Sequence, residues 1–241
     1  MTTRKTIAIF GAGTGLGASL ARRFGREGYR VALVARSAEP LEKRAAELAG
    51  EGIEAAAFPA DLTDLAAIPA LVRSIEARFG TIDVAVYSPV PSNLGFVSAV
   101  NLDSATLKSM TPIYTYAPIE LSHALLPGML ARGDGAIVLV TGLTAVTIVP
   151  GLSGIGPAMT AARNYILTLN AEVAAKGVFA GSVSIGAMID RSAGMRVATA
   201  GGAPLDPRLA VIDPDTVAEE IRTLVVNRDR AEVILPAPPQ S

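Results

Sequence analysis

Thr6-Ile7-Ala8-Ile9-Phe10-Gly11-Ala12-Gly13-Thr14-Gly15-Leu16-Gly17 is the stretch that decides the fold. A short apolar run meets a glycine at every second position, and residues 18–26 beyond it carry apolar side chains at three- and four-residue spacing. That is the pattern of a strand, a tight turn and a helix start. The same alternation recurs along the chain. Strands are predicted over residues 6–10, 30–35, 53–58, 82–86, 136–140, 178–184 and 232–235, and helical patterns over 18–26, 41–50, 65–79, 106–130 and 160–176. Strand, helix, strand repeated in this way requires a parallel sheet covered on both faces, with right-handed crossovers. The expected architecture is a single α/β domain over residues 1–241, a doubly wound parallel sheet of seven strands with its ligand crevice at the strands' carboxyl ends.

Composition excludes several function classes. The chain has 21 Lys plus Arg against 22 Asp plus Glu, a net charge near −1, and no basic run or acidic tail, so neither nucleic acid nor an anionic membrane is an expected partner. Cysteine is absent and His123 is the lone histidine, which removes disulfides, a thiolate nucleophile and any expected metal site. The apolar run near the N-terminus reaches glycine within six residues, too short for a signal-peptide core, and the expected location is cytoplasmic. Residues 135–162 carry no charged side chain, but Gly142, Pro150, Gly151, Gly154, Gly156 and Pro157 interrupt them. No continuous membrane helix can form there; a buried strand leading into an apolar site loop fits better.

The glycines have a chemical reading. Backbone amides can approach a pyrophosphate only where no Cβ intervenes, and a helix N-terminus then adds partial positive charge. The spacing of Gly11, Gly15 and Gly17 resembles the T-G-x-x-x-G-x-G pattern of the short-chain dehydrogenase/reductase family, with Phe10 in place of the threonine. Asp61-Leu62-Thr63 resembles the family's D-x-[ST] element. The resemblance covers nearly the whole chain and implies a Rossmann-type fold. It also implies a dinucleotide held by Gly11, Gly13, Thr14, Gly15, Leu16, Gly17, Asp61, Leu62 and Gly186. The end of the second strand, Val34-Ala35-Arg36-Ser37, lacks the carboxylate that would bind free ribose hydroxyls. Arg36 offers a charged planar fork and Ser37 a hydroxyl, both suited to a phosphate monoester, so NADP (NADPH) is expected in preference to NAD.

The family's chemistry is where the resemblance breaks. Its S-x-Y-x-x-S-K motif aligns onto Ser153-Gly154-Ile155-Gly156-Pro157-Ala158-Met159, which puts Ile155 and Met159 at the tyrosine and lysine positions. Gly142 falls at the usual serine and Tyr114 at the asparagine; the N-N-A-G element reads Tyr87-Ser88-Pro89-Val90, and the P-G element Ile185-Gly186. Ile and Met have no proton to give, so ordinary carbonyl reduction should be very slow. The residues left as catalytic candidates are Tyr114, Thr141 and Ser153.

Residues 187–213 are rich in Gly, Ala and Pro, without clear periodicity, and are expected to form a lid; residues 236–241 form a Pro-rich tail. Three functions stay open. One is an atypical NADP-dependent oxidoreductase acting on an apolar small molecule without the Tyr-Lys pair. Another is a non-catalytic nucleotide-binding homologue, a sensor or a partner subunit pairing with an active paralogue through residues 106–130 and 160–176. The third is a non-redox enzyme that uses the same pocket. A homodimer or homotetramer is the expected assembly for the chain itself.

Overall fold

The computed structural model describes residues 4–90, 96–200 and 210–237. Strands β1 (Thr6–Phe10), β2 (Arg30–Ala35), β3 (Ala55–Pro59), β4 (Val84–Tyr87), β5 (Gly135–Gly142), β6 (Val178–Ile185) and β9 (Glu232–Leu235) form one sheet in the order β3-β2-β1-β4-β5-β6-β9. Every pairing in it is parallel. This is the seven-stranded, doubly wound Rossmann-type α/β domain expected.

The alternation of side chains along each strand makes two cores. Ile7 and Ile9 face one layer, built from α1 (Leu16–Gly25), α2 (Ala38–Gly50) and α8 (Pro214–Asn227). Ala8 and Phe10 face the other, built from α3 (Ile68–Phe79), α5 (Ala117–Arg132) and α6 (Gly156–Val173). A strand buried on both sides needs apolar residues at successive positions, which is why β1 is apolar throughout beyond Thr6.

Several boundaries differ from the sequence reading. Helix α6 begins at Gly156, four residues before the predicted start, because Pro157 sits in its first turn, where a missing N–H costs nothing. The helix predicted over 106–130 is divided into α4 (Ser104–Thr111), a π turn (Pro112–Tyr116) and α5. Pro112 cannot donate to the carbonyl one turn back, so the hydrogen-bond ladder resets at that point. Tyr87, read as part of a loop, is the last residue of β4.

Residues 187–200 and 210–213 carry regular elements that their lack of periodicity did not announce. Strand β7 (Met188–Ile189) pairs in parallel with β8 (Val211–Ile212), and α7 (Ala193–Ala198) lies between them. Elements of two and six residues are too short to leave a periodic signal. Residues 201–209 of the expected lid and 238–241 of the tail lie outside the described residues.

The strand order reverses between β1 and β4, and the loops leaving these two strands meet. A Cβ on Gly11, which has φ +96°, would lie 2.5 Å from the backbone nitrogen of Pro89. A Cβ on Gly13 would meet nothing closer than 3.9 Å. Gly11→Ala should therefore cost about 2 to 4 kcal/mol, combining positive-φ strain with overpacking. Gly13→Ala should cost less than about 1 kcal/mol. Denaturant unfolding of the two variants checks the contrast, and equal losses would contradict it.

Candidate functional site

The crevice lies along the carboxyl edge of the sheet, and its glycine turn is tightly built. The amides of Gly11 and Ala12 both donate to Val34 O at 2.9 Å, and Gly13 N–H donates to Gly11 O at 2.7 Å. Gly17 packs on Ala12, where a Cβ would come within 2.8 Å of backbone. Gly11 and Gly17 thus act through close packing, whereas Gly13 and Thr14 are exposed and face open space. Leu16, the first residue of α1, is buried in the core. The free amides of this helix start can receive an anion.

Gly15 faces a neighbour that the sequence did not announce. Its missing Cβ would lie 3.0 Å from Ser192 Cβ and 3.3 Å from Asp190 O, so the segment after β7 rests directly on the cradle. Arg191 adopts φ +59° there and pairs with Asp213 at 2.5 Å and Asp215 at 2.9 Å. Residues 190–192 are thereby tied to the start of α8. Gly186 donates its amide to Leu235 O at 2.7 Å and packs against Leu143, so that amide is already engaged.

At the ends of β2 and β3, Arg36, Ser37 and Asp61 are all exposed. Ser37 is the N-cap of α2, but its hydroxyl makes no capping bond. Asp61 Oδ1 accepts from Thr63 N at 2.9 Å and Thr63 Oγ1 at 2.8 Å, and these bonds hold its carboxyl below the usual carboxylate range. Leu62 turns its side chain into the core, which leaves only its backbone for a ligand. Sequence reasoning missed Arg44, which reaches from α2 to the glycine turn and donates to the carbonyls of Ala12 and Gly13.

The other half of the crevice is apolar. Gly142, Ile155, Met159 and Tyr114, far apart in sequence, come together here. Tyr114, Ile155 and Ala158 form a buried cluster, with Leu107, Met110, Ile113 and Met159 packed around it. The Met159 thioether bridges β5 and α6: its sulfur accepts from Gly142 N–H at 3.3 Å and lies 3.8 Å from Thr144 Oγ1. Both are weak interactions, since sulfur is a poor acceptor.

The weak catalytic candidates fare differently. Thr141 Oγ1 is buried and paired with Ser184 Oγ at 2.9 Å. Ser153 lies in the turn before α6, and its amide donates to Val97 O at 2.8 Å. The Tyr114 hydroxyl is buried and has no hydrogen-bond partner among the described residues. Burial pushes its pKa up to about 12. Tyr87 is also driven upward by burial, and its hydroxyl donates to Ile113 O at 2.5 Å. Neither phenol can act as a base at neutral pH, because both move away from the range useful for proton transfer.

An unpartnered buried hydroxyl carries a desolvation cost. Tyr114→Phe should therefore stabilise the ligand-free protein by about 1 kcal/mol, raising Tm by about 2 to 4 °C. Calorimetry checks this, and a lowered Tm would show that the hydroxyl is satisfied.

Comparison with known proteins agrees with this architecture. Residues 5–197 match the family described as short chain dehydrogenase. The chain is 30% identical over 233 residues to a dehydrogenase/reductase SDR family protein 7-like protein of Drosophila melanogaster, covering 93% of this chain and 71% of that one. It is 37% identical over 139 residues to a fatty acyl-CoA reductase of Mycobacterium tuberculosis, covering 57% of this chain and 47% of that one. Among solved structures, actinorhodin polyketide ketoreductase with NADPH superposes with a TM-score of 0.82 at 24% identity, over 96% of this chain and 95% of that one. A metagenomic short-chain oxidoreductase in complex with NADP does so with a TM-score of 0.79 at 24% identity, over 98% of this chain and all of that one. A glycine turn at the sheet's switch point, a matching family pattern over most of the length and a shared fold place this chain in the short-chain dehydrogenase family of oxidoreductases.

Proposed function

We propose that this protein binds NADP(H) and passes hydride between it and an apolar, already electrophilic small molecule, without a protein acid or base at the reacting oxygen. The observation that carries this reading is the division of the crevice into a polar cradle and an apolar wall. On the cradle side, Gly13 leaves room for a phosphate, and Arg36 and Ser37 stand exposed at the end of β2. On the other side, Ile155 and Met159 close the space with side chains that hold no transferable proton.

The residues present fit a dinucleotide. The amides at the start of α1 would hold its pyrophosphate, Arg36 and Ser37 a 2′-phosphate, and Oδ2 of Asp61 the adenine amino group. When bound, the nicotinamide supplies or takes up hydride, and that chemistry belongs to the cofactor. The chain's own contribution is to orient and desolvate. Leu107, Met110, Ile113, Ile155 and Met159 offer an apolar wall, which favours a hydrophobic ligand and excludes water.

Such a site suits an iminium ion, which needs only hydride at carbon. It also suits a conjugated enone, whose β-carbon accepts hydride and whose enolate takes its proton from bulk solvent on leaving the site. A simple ketone needs a proton at oxygen as its C–O bond polarises, and here nothing supplies one. The NADP-bound short-chain oxidoreductase and the NADPH-bound polyketide ketoreductase named above support the cofactor assignment by fold.

Two measurements test this reading. NADPH oxidation should be detectable with cyclic iminium or enone substrates and at least about 100-fold slower with matched ketones, the size of a lost general acid. With the iminium, kcat/KM should stay flat from about pH 6 to about pH 9, because both tyrosines nearby titrate well above that range. An NADPH that binds but is oxidised by no member of the panel would instead favour the non-catalytic homologue.

Rebuilding the missing pair provides the complementary test. A Cβ at position 142 would meet Met159 Sδ at 3.5 Å, an ordinary contact, so a serine fits there. The triple variant Gly142→Ser, Ile155→Tyr, Met159→Lys should raise ketone reduction by about 100-fold or more. A triple variant that folds and binds NADPH without that gain would show that the apolar wall is not what withholds the reaction.

A further inference from the structure

Helix α2 carries a charge where its pattern calls for an apolar side chain. Ser37, Leu41, Arg44 and Leu48 follow one another at spacings of four, three and four, so they share one helical face. Leu41 and Leu48 are buried in the core beneath β1 and β2. Arg44 stands between them, half-buried, on the face turned towards the glycine cradle.

Its guanidinium is only partly used. Nη1 donates to Ala12 O at 3.3 Å and to Gly13 O, while Nε and Nη2 have no hydrogen-bond partner among the described residues. No carboxylate pairs with it among the described residues, whereas its neighbour Arg22 is paired with Glu51. Burial pushes Arg44 below the ordinary arginine value; Glu47 on the same helix offsets part of that, and the neighbouring cations Arg22 and Arg196 add repulsion. A half-buried guanidinium with two nitrogens unspent and no carboxylate in contact among the described residues is held at a cost that an anion placed against it would offset.

We infer that Arg44 is a second phosphate-binding arm beside Arg36, which takes the 2′-phosphate of the cofactor and so sets the preference for NADP(H) over NAD(H). This rests on the NADP(H) reading above. The placement follows from the cradle: a pyrophosphate on the start of α1 directs the attached ribose towards the end of β2, the edge from which α2 departs. Nη1 keeps its bond to Gly13 O, and Nε with Nη2 presents a two-donor edge to the phosphate oxygens. A phosphate monoester brings between one and two negative charges, enough to offset the clustered guanidinium groups. Arg196 comes from α7, so an anion here also engages the segment resting on Gly15.

The test compares four probes on the full chain by calorimetry: NADPH, NADH, adenosine 2′,5′-bisphosphate and ADP. Arg44→Met should weaken NADPH and adenosine 2′,5′-bisphosphate about tenfold or more, the loss of one charged hydrogen-bonded pair. NADH and ADP should change by less than about twofold, since they lack the phosphate that Arg44 meets. Arg44→Lys, which keeps the charge without the planar fork, should fall between and guards against a misfolded methionine variant. Equal weakening of all four probes would overturn the inference and leave Arg44 as a brace for the turn. An unchanged NADPH preference in folded Arg44→Met would overturn this inference alone. A wild-type protein with no preference between NADPH and NADH would overturn the cofactor reading and this inference with it.

Discussion

A carbon atom missing from Gly11 lets two loops close on each other at the point where the strand order reverses. The doubly wound sheet needs β1 and β4 side by side, with their chains leaving the carboxyl edge in opposite directions. Both exits crowd into one place, and there a Cβ on Gly11 would overlap the backbone of Ser88 and Pro89. The positive φ of Gly11 turns the chain towards α1, whose N-terminal amides then face the crevice. Packing, turn geometry and anion affinity thus come from one constraint, and the remaining strands build outward from it.

The crevice is polar on one side of this point and apolar on the other. Burial has opposite consequences for the two halves. It strengthens what a guanidinium or an amide does for a phosphate, because water competes less. The same burial drives the hydroxyls of Tyr87 and Tyr114 away from proton exchange. A phenol becomes an acid or base only beside a cation that stabilises its anion, and the side chain that Met159 extends towards β5 is neutral. The thioether keeps the gap between Gly142 and α6 filled, so the fold survives without the charge.

The cradle and the segment after β7 are mechanically joined. Ser192 and Asp190 rest on Gly15, Arg191 is fastened to Asp213 and Asp215, and α8 packs against α1 through the same core. These exposed ion pairs contribute little individually to stability. Their value is geometric: they hold the segment after β6 over the helix start that would receive the pyrophosphate.

Much of this was legible in the amino-acid sequence, since it depends on local rules. The glycine spacing, the apolar strands and the positions of Ile155 and Met159 are properties of short segments, read through periodicity and the alignment of one motif. The π turn at Pro112 left a signal in its proline, but which residues it turns inward depended on packing against Ala158, whose carbonyl holds Thr115. The elements β7, α7 and β8 were too short to announce themselves. Arg44 did leave a trace, a charge at a leucine position of α2, yet its meaning required knowing that α2 lies against residues 12 and 13. By itself, then, the sequence determined the succession of the seven sheet strands and of the helices between the first six of them, the cradle and the absence of a proton donor at position 155. Only the tertiary structure decided that the Tyr114 hydroxyl is sealed from water, that Met159 bridges to Gly142, and that Arg44 and residues 190–192 converge on the glycine turn. Such contacts join residues distant in the chain, and no local pattern encodes the distance between them.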